Sequence, residues 1–348
     1  MANLNSGRTH LKVKPLLQCH VLLTGLLPEL IPPGLDLPGL TRLLALTGKP
    51  SVDDFGAETW LCQQFGLATC TAAPFAAVGE GLQLAENEAW LRVDPVHLQL
   101  MRDSLIVADA QLADLSEGEA ADLLETLNGH FAADDIALHA PVPNRWYARL
   151  PSLPQISTTP AAEAIGRDVD SLLPQGDAAM AWHRWVNEAQ MLLHDHPVNQ
   201  AREANGQRTI NSLWPWGGGV LSRLASPAFN YLVANDTLAR GLGMQAGAEL
   251  QPLPKDFSAC SPRGNALIVL DELNASALRQ HPERWVQALQ CLDRDWLQPL
   301  AEAVSAGQIP TLTLHLANFR QIRTFKVERR RRWYFWRRPQ PLETHLHG

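Results

Sequence analysis

The sequence runs to 348 residues, 46% hydrophobic and 19% charged, with a formal net charge of −7. A chain of this size and balance buries a sizeable core as one large or two modest domains, which excludes low-complexity disorder, collagen and coiled coil. The acidic total excludes a general polyanion binder, yet nine Lys/Arg stand against Glu328 between Arg320 and Arg338, a local +8 that leaves −15 on the rest.

Five cysteines, Cys19, Cys62, Cys70, Cys260 and Cys291, include no C-x-x-C pair. That spacing argues against a disulfide framework or zinc cage and predicts a reducing, cytoplasmic setting. Arg8 to Pro28 has the outline of an export signal, but Gln18 and His20 interrupt its apolar run. We read Leu16 to Thr24 as a strand covered on both faces. No stretch reaches the roughly 18 consecutive apolar residues of a membrane span.

Leu37, Leu40, Leu43 and Leu44 recur at helical spacing, and Ala57 to Phe65 reads as a second helix closed by Gly66. From Trp90 to Val107 short alternating runs predict two strands separated near Pro95. Ser116 and Glu119 form a capping box ahead of Ala120, Leu123, Leu124, Leu127 and Phe131, the clearest helix in the chain. Strands follow on either side of Pro141 and Pro143, at Ile136 to His139 and Trp146 to Leu150. This packet predicts a small α+β insertion.

Asp177 to Leu193 carries Trp182, Trp185, Ala189 and Leu192 on one helical stripe. Asn211 to Trp216 reads as a strand ending in Gly217, Gly218 and Gly219. Ala266 to Leu270 is a buried strand, a long helix carries Trp285, Leu289, Leu292, Trp296 and Leu300, and Thr311 to Leu316 is a further strand. Strands alternating with helices predict α/β architecture with a mainly parallel sheet flanked by helices. The expected division is a discontinuous core, residues 11–85 and 160–348, with residues 86–159 inserted.

The densest polar cluster is His194, Asp195, His196, Asn199 and Arg202, in a stretch that Pro197 is expected to bend out of helical geometry. One reading makes His194, His196 and Asp195 metal ligands, and the other has these groups cap the helix end and hold the Pro-bent loop. Asn199 and Arg202 suit anion recognition, because a guanidinium grips carboxylate or phosphate with two parallel hydrogen bonds. The glycines after Trp216 lack the Lys and Ser/Thr of a phosphate-binding loop, and no G-x-S-x-G elbow occurs. The tail Arg329 to Arg338 mixes cations with contiguous aromatics. An edge strand with packed aromatics fits it better than a nucleic-acid-binding segment, whose aromatics interleave with charge.

These strings fall in a familiar order: R-V-D-P-V-H-L opening at Arg92, the Ser116 helix with Leu127 and Asn128, Asn144-Arg-Trp-Tyr147, and Thr159-Pro160. Then come His196-Pro-Val-Asn199 with Arg202, Asn211 to Gly219, and Leu238-Ala-Arg-Gly241 with Gly247. From about Trp90 to Pro254 the chain resembles archaeal-type cofactor-independent phosphoglycerate mutases of the alkaline phosphatase superfamily. Over nearly its whole length it resembles the bacterial RpfE-type regulatory proteins. The resemblance implies an alkaline-phosphatase-like core. It also implies that Arg92, Arg145, Asn199 and Arg202 hold a substrate's phosphate and carboxylate.

Mutases of this kind also use two divalent metals, such as Mn or Zn, and a hydroxyl that becomes phosphorylated. Here Thr24-Gly25 stands where a metal-binding Asp-Gly pair is expected, Asp271 and Glu272 are followed by few ligands, and His315-Leu-Ala-Asn replaces an Asp-His string. Asp271, Glu272 and His315 are the remaining candidate ligands. The expectation is therefore a phosphoglycerate-mutase-like pseudoenzyme with neither cofactor nor catalytic residue. It would be regulatory, or bind a small phosphorylated or carboxylated metabolite or a protein partner. Arg320, Arg323 and the Arg329 run are candidates to supply the charge once given by metal. The alternatives are an active metal-dependent mutase and a nucleic-acid-associated protein using Arg329 to Arg338.

Overall fold

The computed structural model describes residues 18–109, 114–224, 228–278 and 281–327. The tail from Arg329 to Arg338 and residues 11–17 fall outside them. In chain order the strands are β1 (Gln18–Leu23), β2 (Ser51–Asp53), β3 (Ala89–Leu100), β4 (Leu105–Asp109), β5 (Ala137–Val142) and β6 (Arg145–Leu150). They continue as β7 (Ser212–Val220), β8 (Tyr231–Val233), β9 (Glu249–Gln251), β10 (Asn265–Leu270), β11 (Leu312–Ala317) and β12 (Ile322–Lys326).

One sheet has the order β2-β12-β11-β1-β10-β8-β9. Every pairing from β11 to β9 is parallel, while β12 and β2 add antiparallel at one edge. β1 lies in the middle, hydrogen-bonded to β10 and β11, which explains its uncharged Gln-Cys-His-Val-Leu-Leu sequence. Its successive side chains enter two apolar layers. Cys19, Val21 and Leu23 meet the helices Pro38–Ala45, Pro282–Leu292 and Gln298–Ser305. Leu22 faces the helices Ala57–Gln64, Ala72–Gly79 and Thr237–Ala246. The fold is thus mixed α/β, a mostly parallel sheet flanked by helices, as the alternation of elements predicts.

A second, antiparallel sheet runs β4-β3-β6-β5, with β7 on the other side of β3. The helix Glu117–Phe131 covers it, and both hydrogen bonds of the Ser116/Glu119 capping box form. Phe131 packs against Trp185 of the helix Ala179–His194, closing a third apolar cluster.

Three local expectations need correction. Pro95 does not divide a strand: β3 runs through it. The proline sits where β3 has left β6 at Arg92 and has not yet met β4 at His97, a place that tolerates a missing donor. Nor do Gly217, Gly218 and Gly219 end β7, which continues to Val220. Gly217 and Gly219 admit the start of the Ala72–Gly79 helix, since a Cβ on Gly217 would stand 3.1 Å from Cβ of Ala72 and one on Gly219 1.8 Å from Cγ2 of Thr71. Pro197 starts a helix, Pro197–Ala204, with His196 as its N-cap, because the first helical position needs no amide donor.

Candidate functional site

The parallel strands β1, β8, β10 and β11 all end against one cleft of about 320 Å³. Thr24 and Gly25 follow β1, Asn235 and Asp236 follow β8, Asp271 follows β10 and Asn318 follows β11, and all line it. Carboxyl ends of parallel strands are where α/β sheets bind ligands, because the loops there are free of the ladder. The antiparallel sheet supplies the opposite wall with Arg92 and Asp94 of β3, Asn144 and Arg145 at the start of β6, and Trp216 of β7.

Arg92 and Asp94 are two residues apart on one strand and so share a face. Nε and Nη2 of Arg92 donate to Oδ1 of Asp94 at 3.1 and 2.5 Å, and Nη1 donates to the Tyr147 hydroxyl at 3.3 Å. The guanidinium lies 4.9 Å from the Tyr147 ring centre and 5.1 Å from that of Trp216. Trp216 Nε1 donates to the other Asp94 oxygen at 2.7 Å. Burial opposes the charge on Arg92, but Asp94 and Tyr147 outweigh it and hold the guanidinium above its usual range.

Arg145 donates through Nε and Nη2 to the two oxygens of Glu80, and the Tyr147 hydroxyl donates to Glu80 as well. Tyr147 therefore links the two arginines. Arg145 keeps about a third of its side chain exposed (34%).

Three further carboxyls reach the cleft. Burial pushes Glu58 up to about 7, with Glu163 and Asp236 adding repulsion. Burial likewise pushes Asp271 up to about 7, helped by Asp236 and Glu272. Asp236 is raised by burial even though it caps the helix Thr237–Ala246, accepting from Ala239 N at 2.7 Å. The cleft thus holds a surplus of acid whose nearest cations already face Asp94 and Glu80.

Of the four residues expected to grip an anion, Arg92 and Arg145 meet here. Asn199 and Arg202 do not line the cleft. Arg202 is 1% exposed and donates to Glu119, Asp114 and the Arg208 carbonyl at 2.7–3.0 Å, locking three segments together. Asn199 is bonded to the backbone of Leu193 and Ile210. Their polar atoms serve the fold. Arg320 donates to the Ile165 carbonyl and Arg323 to Gln321, and neither lines the cleft. Sequence reasoning missed Glu58, Glu80, Asp94, Asp236 and Tyr147. Two signals were present: the Arg92/Asp94 spacing on a strand, and Asp236 three residues before Ala239, an N-cap pattern.

Residues 72–199 match the family model described as 2,3-bisphosphoglycerate-independent phosphoglycerate mutase. Over those residues the chain is similar to that family. It is 25% identical over 232 residues to a probable 2,3-bisphosphoglycerate-independent phosphoglycerate mutase of Geobacter sulfurreducens, covering 64% of this chain and 53% of that protein. Identity is 24% over 185 residues to the 2,3-bisphosphoglycerate-independent phosphoglycerate mutase of Methanosarcina barkeri, covering 51% and 46%. The chain spans about half the length of the curated relatives it matches. Among solved structures, the PH0037 protein from Pyrococcus horikoshii shares the fold, with a TM-score of 0.55 at 14% identity over 90% of this chain and 88% of that one.

The candidate metal ligands scatter. Asp271 lines the cleft and Glu272 does not. His315 lies inside the sheet, bonded to His20 and Thr324. The His194 side chain is 85% exposed, and His196 is the buried cap of its helix, near Thr126. Among the described residues no three His, Cys, Asp or Glu converge as a metal site. Each ion of a dinuclear centre takes roughly four to six ligands, and the described donors at the cleft form no such group. Nor, among the described residues, is any helix long and apolar enough to cross a membrane.

Proposed function

We propose that this phosphoglycerate-mutase-like protein is a pseudoenzyme that has lost the dinuclear metal centre. In this reading the cleft binds a small phosphorylated metabolite, and occupancy serves a regulatory role of the kind that the RpfE-type resemblance implies. One observation carries the proposal. Arg92 and Arg145 are joined through Tyr147 and Glu80 at the ends of the parallel strands, while of the candidate metal ligands only Asp271 reaches the same cleft.

The chemistry of the wall supports it. A guanidinium held bidentately by Glu80 is pre-oriented and keeps Nη1 for an arriving anion, which lowers the ordering cost of binding. Phosphoryl transfer needs a nucleophile within hydrogen-bond reach of a base. Among the described residues the hydroxyls lining the cleft are those of Thr24 and Thr237, and Thr24 donates to the Leu270 carbonyl at 3.4 Å. In this reading the cleft holds an anion and leaves it intact.

Calorimetric titration of the full chain with inorganic phosphate and with phosphorylated three-carbon compounds, with and without Mn, tests this reading. Phosphate compounds should bind without added metal, Arg145→Gln should weaken them at least tenfold, and 2- and 3-phosphoglycerate should not interconvert. Mn-dependent mutase turnover, or binding indifferent to Arg145→Gln, overturns it.

A further inference from the structure

The proposed function leaves open what the phosphate is attached to, and the cleft's charge distribution bears on that. Within it Asp94 is matched by Arg92, and Arg145 is matched by Glu80 at its edge, which leaves Glu58, Asp236 and Asp271 as surplus acids. All three are half-buried, and among the described residues Arg92 and Arg145 are the cations that line the cleft. Above pH 7, where Glu58 and Asp271 are ionised, a second anionic group on the ligand would enter this acid-lined space and be repelled.

Neutral hydroxyls meet the opposite fate. Carboxyls accept hydrogen bonds from them, and amides both donate and accept. Asn144, Asn235, Asn274 and Asn318 line the same cleft. Asn235 and Asn318 each direct the side-chain carbonyl to backbone amides, of Leu253 in one case and of Arg320 and Gln321 in the other, so the NH2 is the remaining donor. Trp216 and Phe319 add two aromatic surfaces against which the C–H faces of a hydroxylated carbon chain can pack.

Resting on the anion-binding reading above, we infer that the ligand is a phosphorylated polyol. It carries one phosphate, held by Arg145, and a short chain or ring of uncharged hydroxyls, and it has no carboxylate. Arg145 supplies the attraction; the surplus acids and the asparagines select against a second charge.

The full chain, titrated calorimetrically with glycerol 3-phosphate, 3-phosphoglycerate, inorganic phosphate and glycerol, separates the possibilities. Glycerol 3-phosphate should bind at least tenfold more tightly than 3-phosphoglycerate, and glycerol should bind more weakly than either. Glu58→Gln and Asp271→Asn should each narrow that gap severalfold by improving 3-phosphoglycerate alone. Equal or tighter binding of 3-phosphoglycerate by the unaltered protein overturns the polyol assignment and leaves the anion site standing. If no phosphate compound binds, the reading beneath it fails as well.

Discussion

His20 on β1 and His315 on β11 share a hydrogen bond of 2.9 Å inside the parallel sheet. The Gln18 amide NH2, which only donates, faces Nε2 of His20, and Nδ1 of His315 meets the Thr324 hydroxyl at 2.9 Å. This chain of partners assigns the proton to Nδ1 of both rings. Burial lowers His20 to about 4 and His315 to about 3.

The pair therefore makes stability depend on pH. A histidine held neutral in the fold but titrating at its usual 6.5 when unfolded contributes fully above pH 6.5 and loses that contribution as pH falls towards 3. For His315 the loss reaches about 1.4 kcal/mol at pH 5.5. Urea unfolding at pH 7.5 and 5.5 should show the decline, and His315→Gln should flatten it. An unchanged slope in that variant refutes the neutral pair.

Glu58 acts with the opposite sign. Its carboxyl is raised to about 7 in the fold from 4.5, so its contribution is complete below pH 4.5 and disappears as pH rises through 7. Glu58→Gln should stabilise the protein on the order of 2 kcal/mol at pH 8 and leave it unchanged at pH 4.5, read by the same unfolding measurement. A gain that is equal at both pH values points to packing and sinks the electrostatic account. Stability sacrificed to a charged cleft is a common trade at binding sites.

Arg202 should behave as a structural residue. Its guanidinium is buried against Asp114, Glu119 and the Arg208 carbonyl. Arg202→Met should cost roughly 1–3 kcal/mol, because it leaves the Arg208 carbonyl without its donor and the partly exposed Asp114 and Glu119 without their cation. Arg202→Lys keeps the charge, loses the fork, and should cost roughly 1–2 kcal/mol. Phosphate affinity of the Lys variant should match that of the unaltered protein. A tenfold loss of affinity there would return Arg202 to the binding site.

That residue also shows where the sequence becomes opaque. The long elements were legible: β1 from its uncharged run, the Glu117–Phe131 helix from its capping box, and β10 and β11 from their aliphatic blocks. β8 and β9 have three residues each, too few for a period to register. Arg92 and Arg145 were found, but Arg202 looked identical to them. Nothing local reveals that its partners lie 83 and 88 residues away, and they turn a ligand-type arginine into a structural one. Glu58 was passed over for the converse reason. It reads as an ordinary first-turn acid, and only the fold turns it into the cleft and half-buries it.

Gly241 stands out in the sequence only as a landmark of the resemblance, with no packing role visible. In the structure the helix Thr237–Ala246 crosses Ala72–Gly79 glycine against backbone. A Cβ on Gly241 would stand 1.7 Å from the Phe75 carbonyl oxygen, and one on Gly79 would stand 1.9 Å from that of Thr237. Glycine to alanine inside a helix normally gains up to about 1 kcal/mol. Here the obstruction is backbone, which cannot yield without separating the helices, so Gly241→Ala should instead cost about 3 kcal/mol. Gly243→Ala meets only the flexible ends of Leu250 and Leu232 and should cost roughly 1 kcal/mol. Gly129→Ala, with nothing within 4 Å, should stabilise by about 0.5–1 kcal/mol. Because Asp236 caps the displaced helix and lines the cleft, Gly241→Ala should also weaken phosphate binding, whereas Gly129→Ala should not. Thermal unfolding and titration of the three variants check the series, and a Gly241→Ala protein as stable as the unaltered one would mean the two helices do not meet in this way.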